Sequence, residues 1–591
     1  MMAIYVLVLP LLGAVICGLG WRVIGEGAAL WAATGTMAVA CLMAWSVLLN
    51  SDGSVAIYAA LRWIESGTFS ADLGLRLDRV TMIFMVLATS ISAAVHLFSI
   101  QGLRSGDYFD EHEVHVPRFM GLMSLLTFAM LVLITSYNLV QLTFGWVLAG
   151  WVSAQLIGFR YRTTKATVAA NGEFAAVMVG GAALILATGI VFAGFDTVRL
   201  MDVAALAPDL ADMTVAVWGQ SWPLAELVGV LVFIASLTIA AQAPFHMGWA
   251  DASDTPSPAA ALIQSGALAV AGVFLLIRFS PILEAAPVTQ SWIVFWGALS
   301  ALFTSLCALV QRDLRRALAF LASAQVGLMM VSVGTGAYTV ALWQAVAFTL
   351  SQAVLVLGAG SVIRAMGGSG DMLGFGGLRQ KMPVTFWAMV LGALAVSGIG
   401  VPGTLLGLGG FAPRMGLAST TFVAAPSWVF WAVLAAGLII ALAAGRVVFM
   451  TFTGSPHGPK DAFKAATESA TTMIVPVSAL AVAAILAGSF WQPAFYSDTS
   501  RMQQWFGMVH MMSAKDKVVL GTDAATEAKP LERRAIYIAP ENQVLESARA
   551  TPAWASLVAA LAGALGFVLA WLFYARASDT PKRVARVFSP H

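Results

Sequence analysis

From Leu224 to Pro258 the chain reads LAELVGVLVFIASLTIAAQAPFHMGWADASDTPSP. Its first 18 residues, to Ala241, carry a single charge, Glu226. That is nearly the ~20 apolar residues that a membrane-crossing helix needs. Gln242 and Pro244 then interrupt the run, which resumes through Trp249 before Pro256 and Pro258. Proline removes an intrahelical hydrogen bond and clashes with the preceding turn, so a helix entering the membrane here breaks inside it. A second apolar run carries Ser397-Gly398-Ile399-Gly400-Val401-Pro402-Gly403. Irregular backbone is tolerated at membrane depth only where protein covers it or a cavity lies beside it. These interruptions therefore point to an all-α, polytopic bundle with helix breaks near Pro244 and Pro402.

Composition agrees. Of 591 residues, 59% are hydrophobic and 10% are Asp, Glu, Lys or Arg, against about 25% charged in soluble proteins. A soluble globule of this size could not cover its surface with so few charges. The net charge of +2 suggests no nucleic-acid partner. Cys17, Cys41 and Cys307 sit in apolar runs and form no CxxC pair, so they read as buried small hydrophobes. No phosphate-binding GxxxxGK[ST] loop is present, and no cofactor or metal site is expected.

Scanning for apolar segments gives fifteen candidates, at roughly 3–19, 27–49, 81–101, 118–136, 138–158, 168–194, 223–243, 257–279, 290–311, 316–334, 338–364, 383–411, 427–452, 471–492 and 552–574. The first has no cleavage site and reads as a retained helix. Arg160, Arg162 and Lys165, then Arg312, Arg315 and Arg316, then Arg364, Arg379 and Lys381 all follow odd-numbered segments. The positive-inside rule puts them in the cytoplasm, with the N-terminus outside and the C-terminus inside a bacterial inner membrane. Arg62, Arg76 and Arg79 oppose this and are outnumbered. The two breaks lie five segments apart, which divides the chain into residues 1–117 with segments one to three, a five-helix repeat at 118–280, a second at 290–452, and a C-terminal part at 453–591 with a long external loop at 493–551. Broken helices at matching places in inverted repeats point to an ion path.

The stretch from Ala241 resembles the broken-helix signature of the antiporter-like subunits of respiratory complex I, related hydrogenases and multisubunit cation/proton antiporters. Gln242, Pro244, Phe245, His246, Trp249, Asp251, Pro256, Pro258, Leu262 and Ile263 carry the match. Leu77-Asp78, Gly145-Trp146, Leu156 to Phe159, Asp313 to Arg316, Gln325-Val326-Gly327, Gly360 to Ile363 and Gly377 to Arg379 follow in family order. Ala535 to Asn542 is most similar to subunit L of complex I. The resemblance implies a membrane-arm subunit bound to other membrane subunits and lipid, with NADH oxidation left to other chains.

It also implies a proton relay whose residues are replaced here. Val147 stands for the family's Glu, Ile239 for the Lys of the broken helix and Gln264 for a His. Gln344, Phe348 and Gln352 stand for two His and a Lys, and a further Lys falls near Pro413, beside Arg414. Aliphatic groups hold no proton, and amides have no usable pKa. His246, Asp251 and Arg446 are the retained candidates. His246 is expected as a structural histidine, Asp251 as a cap or an intersubunit pair, and Arg446 as snorkelling or paired. Glu226 is expected at the outer helix end. The family's lateral helix after segment fifteen is expected to be missing. The favoured expectation is a structural subunit without catalysis of its own. Active translocation by a rerouted path, or membership of an inorganic-carbon uptake or hydrogenase complex, stays open.

Overall fold

The computed structural model describes residues 2–103, 116–206, 213–217, 219–246, 248–249, 255–401, 407–458, 460–489, 492–506, 509–510, 535–539 and 541–576. Eleven helices among them are long and apolar enough to cross a membrane. These are α1 (Met2–Ile24), α2 (Glu26–Leu49), α3 (Arg79–Gly102), α4 (Val116–Ile134), α5 (Leu139–Ile157), α6 (Thr164–Phe195), α10 (Pro287–Val310), α11 (Leu314–Gly334), α12 (Tyr338–Ala365), α15 (Ser427–Phe452) and α17 (Ala553–Arg576). Shorter apolar helices are α7 (Leu224–Ile239), α13 (Pro383–Ser397) and α16 (Thr471–Leu486). The broken segments add α8 (Ser257–Gln264), α9 (Ala271–Arg278) and α14 (Phe411–Ala424).

Burial orders these helices from centre to edge. Every residue from Ala317 to Gly334 of α11 is buried, and α12 is nearly so, whereas α1, α2 and α17 expose most of their surface. Small residues permit the close central crossings. A Cβ on Gly297 of α10 would lie 2.9 Å from the Gly327 carbonyl oxygen, and one on Gly327 would lie 2.8 Å from the Ala301 nitrogen. Likewise, a Cβ on Gly360 of α12 would press on Ser257, so α8 rests directly on α12.

The first break falls where Pro244 predicts. Helix α7 stops at Ile239, Ala241 takes φ +47°, and the Ala243–Pro244 peptide bond is cis. Two side chains stitch the open end to α11: Gln242 Nε2 donates to the Ala240 and Ser323 carbonyls at 2.9 and 3.1 Å, and Ser323 Oγ donates to the Ala241 carbonyl at 2.8 Å. The second break separates α13 from α14, with Gly398 at φ +66° ending α13. Pro402 itself lies outside the described residues.

One expectation is corrected. Residues 257–279 are not one helix: α8 ends at Gln264 and α9 begins at Ala271. Gly266 sits in the gap, where a Cβ would collide with the Leu262 carbonyl oxygen. The all-α bundle also carries small two-stranded pairings. Residues before α3 form an antiparallel hairpin, β1 (Ala56–Ser66) and β2 (Phe69–Leu77), tied down by Arg76 N donating to the Thr135 carbonyl at 2.9 Å. Its apolar side chains served hairpin alternation, a shorter pattern than a search for spans detects.

Candidate functional site

A buried carboxylate stands beside the first break. Glu173 lies nine residues into α6 from Thr164, about 14 Å along the helix at 1.5 Å per residue. It is fully buried. Gly248 presses on it so closely that a Cβ there would overlap Glu173 Oε2. The Trp249 indole N–H approaches the carboxylate without reaching hydrogen-bond geometry, and neither Glu173 oxygen has a hydrogen-bond partner among the described residues. An intramembrane carboxylate is costly and by default a functional candidate. The sequence reading missed it.

The expected positions around it are aliphatic or amide. Ile239 is fully buried at the end of α7, and Val147 on α5 faces α6, where a Cβ on Gly181 would meet Val147 Cγ2 at 3.2 Å. His246 is part-exposed and packs edge-on against Phe303 at 5.3 Å and tilted against Phe320 at 5.9 Å. Asp251 lies outside the described residues. Gln264 is buried as the last residue of α8.

Amides occupy the centre between α11 and α12, and local bonds consume them. Gln344 Nε2 donates to Ser332 Oγ at 2.6 Å, Gln352 Nε2 to the Leu318 carbonyl at 2.9 Å, and Gln325 Nε2 to Gln352 Oε1 at 3.4 Å. Phe348 is buried alongside. None of these groups changes protonation at accessible pH.

At the second break, Arg414 of α14 turns back onto the end of α13. Its Nη1 donates to the Ser397 carbonyl at 3.0 Å and to the Gly437 carbonyl at 3.3 Å. The last carbonyls of a helix lack intrahelical partners and form the negative end of its dipole, so a cation suits them. Arg414, Gln325, Gln344, Phe348, Ser351 and Pro413 are among the residues around a cavity of about 30 Å³. Arg446 is buried in α15, its guanidinium 5.8 Å from the Tyr574 ring centroid of α17.

Other buried ionisable groups do structural work at helix ends. Asp78 caps α3 by accepting from Thr81 N at 2.8 Å. It also lies 3.0 Å from Arg76 Nε and accepts from both Nη atoms of Arg278, 200 residues away. Glu284 accepts from Ala539 N at 2.8 Å, Asn542 Nδ2 at 3.0 Å and Tyr338 OH at 2.7 Å, which pins the 535–542 segment against the bundle. Glu226 caps α10 through Val288 N and Thr289 N, each at 2.8 Å. His96 has both ring nitrogens engaged, Nδ1 with the Ser92 carbonyl at 2.8 Å and Nε2 with Ser124 Oγ at 2.9 Å. Nδ1 donates to the carbonyl, and the Ser124 hydroxyl can donate to or accept from Nε2, so both nitrogens are engaged within the helix bundle. Among the described residues no cluster of His, Cys, Asp and Glu could hold a metal ion.

Known proteins share this arrangement. Residues 136–440 match the family model described as NADH:quinone oxidoreductase/Mrp antiporter, TM, and residues 63–120 match that of NADH-ubiquinone oxidoreductase (complex I), chain 5 N-terminus. The chain is 34% identical to NADH-quinone oxidoreductase subunit L of Rhodobacter capsulatus, over 99% of this chain and 87% of that one. It is 32% identical to NADH-ubiquinone oxidoreductase chain 5 of Metridium senile, over 84% of this chain and 79% of the other. Among solved structures, the Mrp complex from Dietzia sp. DQ12-45-1b superposes with a TM-score of 0.75 at 20% identity, over all of this chain and 57% of that one. An archaeal membrane-bound sulfane sulfur reductase superposes with a TM-score of 0.69 at 18% identity, over 82% of this chain and 75% of that one. The family-model match over residues 136–440 and 34% identity over nearly the whole chain show that the chain belongs to the NADH:quinone oxidoreductase/Mrp antiporter family, as an antiporter-like subunit L of the complex I type.

Proposed function

We propose that this chain is a membrane-arm subunit of a complex I-type NADH-quinone oxidoreductase that has lost the proton relay of its family and serves a structural role. It is a multi-pass subunit of a multisubunit membrane complex. We place it in a bacterial inner membrane with the N-terminus outside and the C-terminus cytoplasmic, as two inverted five-helix units at 118–280 and 290–452. One observation carries the loss of the relay: Gln344 and Gln352 hold the centre in fixed bonds to Ser332 and Leu318. A relay needs groups that take up and release protons across the membrane interior, and a run of spent amides does neither. Val147 and Ile239 extend the same neutrality into the first unit.

Glu173 favours a second reading, in which protons enter at the first break by a rerouted path. Neither oxygen of this buried carboxylate has a hydrogen-bond partner among the described residues, and an ionisable group inside a membrane helix is by default a candidate for proton movement. The two readings separate in the intact complex reconstituted in proteoliposomes. With Glu173→Gln, a structural subunit gives an unchanged ratio of protons moved per NADH oxidised. A clear fall in that ratio, with assembly and electron transfer normal, replaces the first reading with the second.

A further inference from the structure

We propose that the cavity beside Arg414 binds a small monovalent anion of chloride size. Arg414 is part-buried, with its Nη2 atom fully buried, and a charge taken out of water without a counter-charge is costly. From residue 314 to residue 460 the sequence contains one carboxylate, Asp371. Asp371 sits in the connection after α12 and accepts from Leu373 N at 3.0 Å. Helices α16 and α17 carry no carboxylate either. Among the described residues no carboxylate pairs with Arg414. Arginine does not escape by losing its proton, as a lysine could.

The guanidinium is also only half used. Nη1 serves the carbonyls of Ser397 and Gly437, whereas Nη2 is buried and has no hydrogen-bond partner among the described residues. The Ser397 and Gly437 carbonyls are dipoles and leave the net charge in place. Beside Arg414 is the cavity of about 30 Å³, lined also by Gln325, Gln344 and Ser351. A water needs at least about 10–15 Å³ of such space, so this cavity takes one small ion or two waters and excludes a phosphate or carboxylate ligand. Ser351 Oγ already donates to the Ala347 carbonyl, and Gln325 Nε2 to the Leu321 carbonyl and Gln352 Oε1, so the donor left for an occupant is Arg414 Nη2, which an anion uses and a cation does not. A fixed positive charge at this point repels a passing proton or metal cation, and this inference stands whichever reading of proton movement holds.

The test is hydrogen–deuterium exchange of residues 407–424 in the intact complex, titrated with bromide against gluconate at constant ionic strength. Bromide should slow exchange of the amides around Gly410 and Arg414 at least threefold, saturably, and gluconate should not. Arg414→Gln should remove the response or shift its midpoint at least tenfold. If that variant fails to assemble, Ser351→Val, which fills the cavity and keeps the guanidinium, should also abolish it. Bromide-independent exchange in the unmodified complex overturns the proposal. So does a bromide response that persists undiminished in Arg414→Gln or Ser351→Val.

Discussion

Asp78→Asn should destabilise the chain more than its single lost charge suggests. The carboxylate is fully buried and holds two guanidiniums, Arg76 and Arg278, that are themselves buried. Replacing it with the isosteric amide leaves both cations without compensation, and removing one partner of a buried pair costs about 3–5 kcal/mol. With an unfolding entropy of about 2.1 cal/mol/K per residue, about 4 kcal/mol lowers the melting midpoint of a chain this size by about 3 °C, and by more if only part unfolds cooperatively. The pH dependence checks the cause. Burial alone would raise the Asp78 pKa, but Arg278 and Arg76 outweigh it and hold it at about 2, below the ordinary 3.8. A depressed carboxylate stabilises the fold above its unfolded pKa and loses that contribution as pH falls through the folded one, a stake of about 2 kcal/mol. The assay is the thermal midpoint of the purified complex, followed by loss of this subunit, from pH 7 down to the lowest pH the complex survives. The variant should melt lower at pH 7, and the gap should narrow as pH drops below about 4. Equal midpoints at pH 7 would refute the reasoning. The double variant Asp78→Leu with Arg278→Met should recover part of the loss, since an apolar pair replaces a buried ion pair at little cost.

Glu284→Gln should loosen the 535–542 segment from the bundle. Hydrogen bonds to a charged acceptor contribute about 1.5–3 kcal/mol, so amide exchange at Ala539 should quicken about tenfold or more, and unchanged exchange would show that other contacts hold the segment. Gly327→Val should prevent stable assembly, because its Cβ would lie 2.8 Å from two backbone atoms, Ala301 N and the Gly297 carbonyl oxygen, neither of which can swing aside. The amount of subunit retained after purification reads this directly.

The parts of this fold legible in the sequence are those written in local residues. Pro244 marks the first break because proline acts on its own turn, and the glycines from Gly398 mark the second for the same reason. The interruption between α8 and α9 is different. Its local signs are only Gln264-Ser265-Gly266 within an otherwise apolar run, and two polar residues and a glycine are compatible with an unbroken helix. The Arg76–Asp78–Arg278 cluster joins residues 200 positions apart, and no periodicity reports that. Glu173 is in plain view in the sequence, but its burial comes from Gly248, far along the chain, and no local pattern reports that contact.

The buried and part-buried ions divide by position. Asp78, Glu226 and Glu284 stand at helix ends and satisfy backbone N–H groups, so their chemistry is that of caps and pins. Glu173 and Arg414 stand instead at the two places where a membrane helix is interrupted. Breaking a helix in lipid exposes carbonyls and amides that need partners, and one ion at each break is a local solution that involves no transport. Arg414 meets this description fully, since it bonds the terminal carbonyl of α13. Glu173 differs: among the described residues it takes no backbone N–H, and its oxygens face an indole that stops short of bonding. A carboxylate that only stabilised the break would have captured one of the freed amides. The first break is therefore where proton chemistry in this subunit, if retained, has to be sought, and the second break is where a fixed charge stands against it.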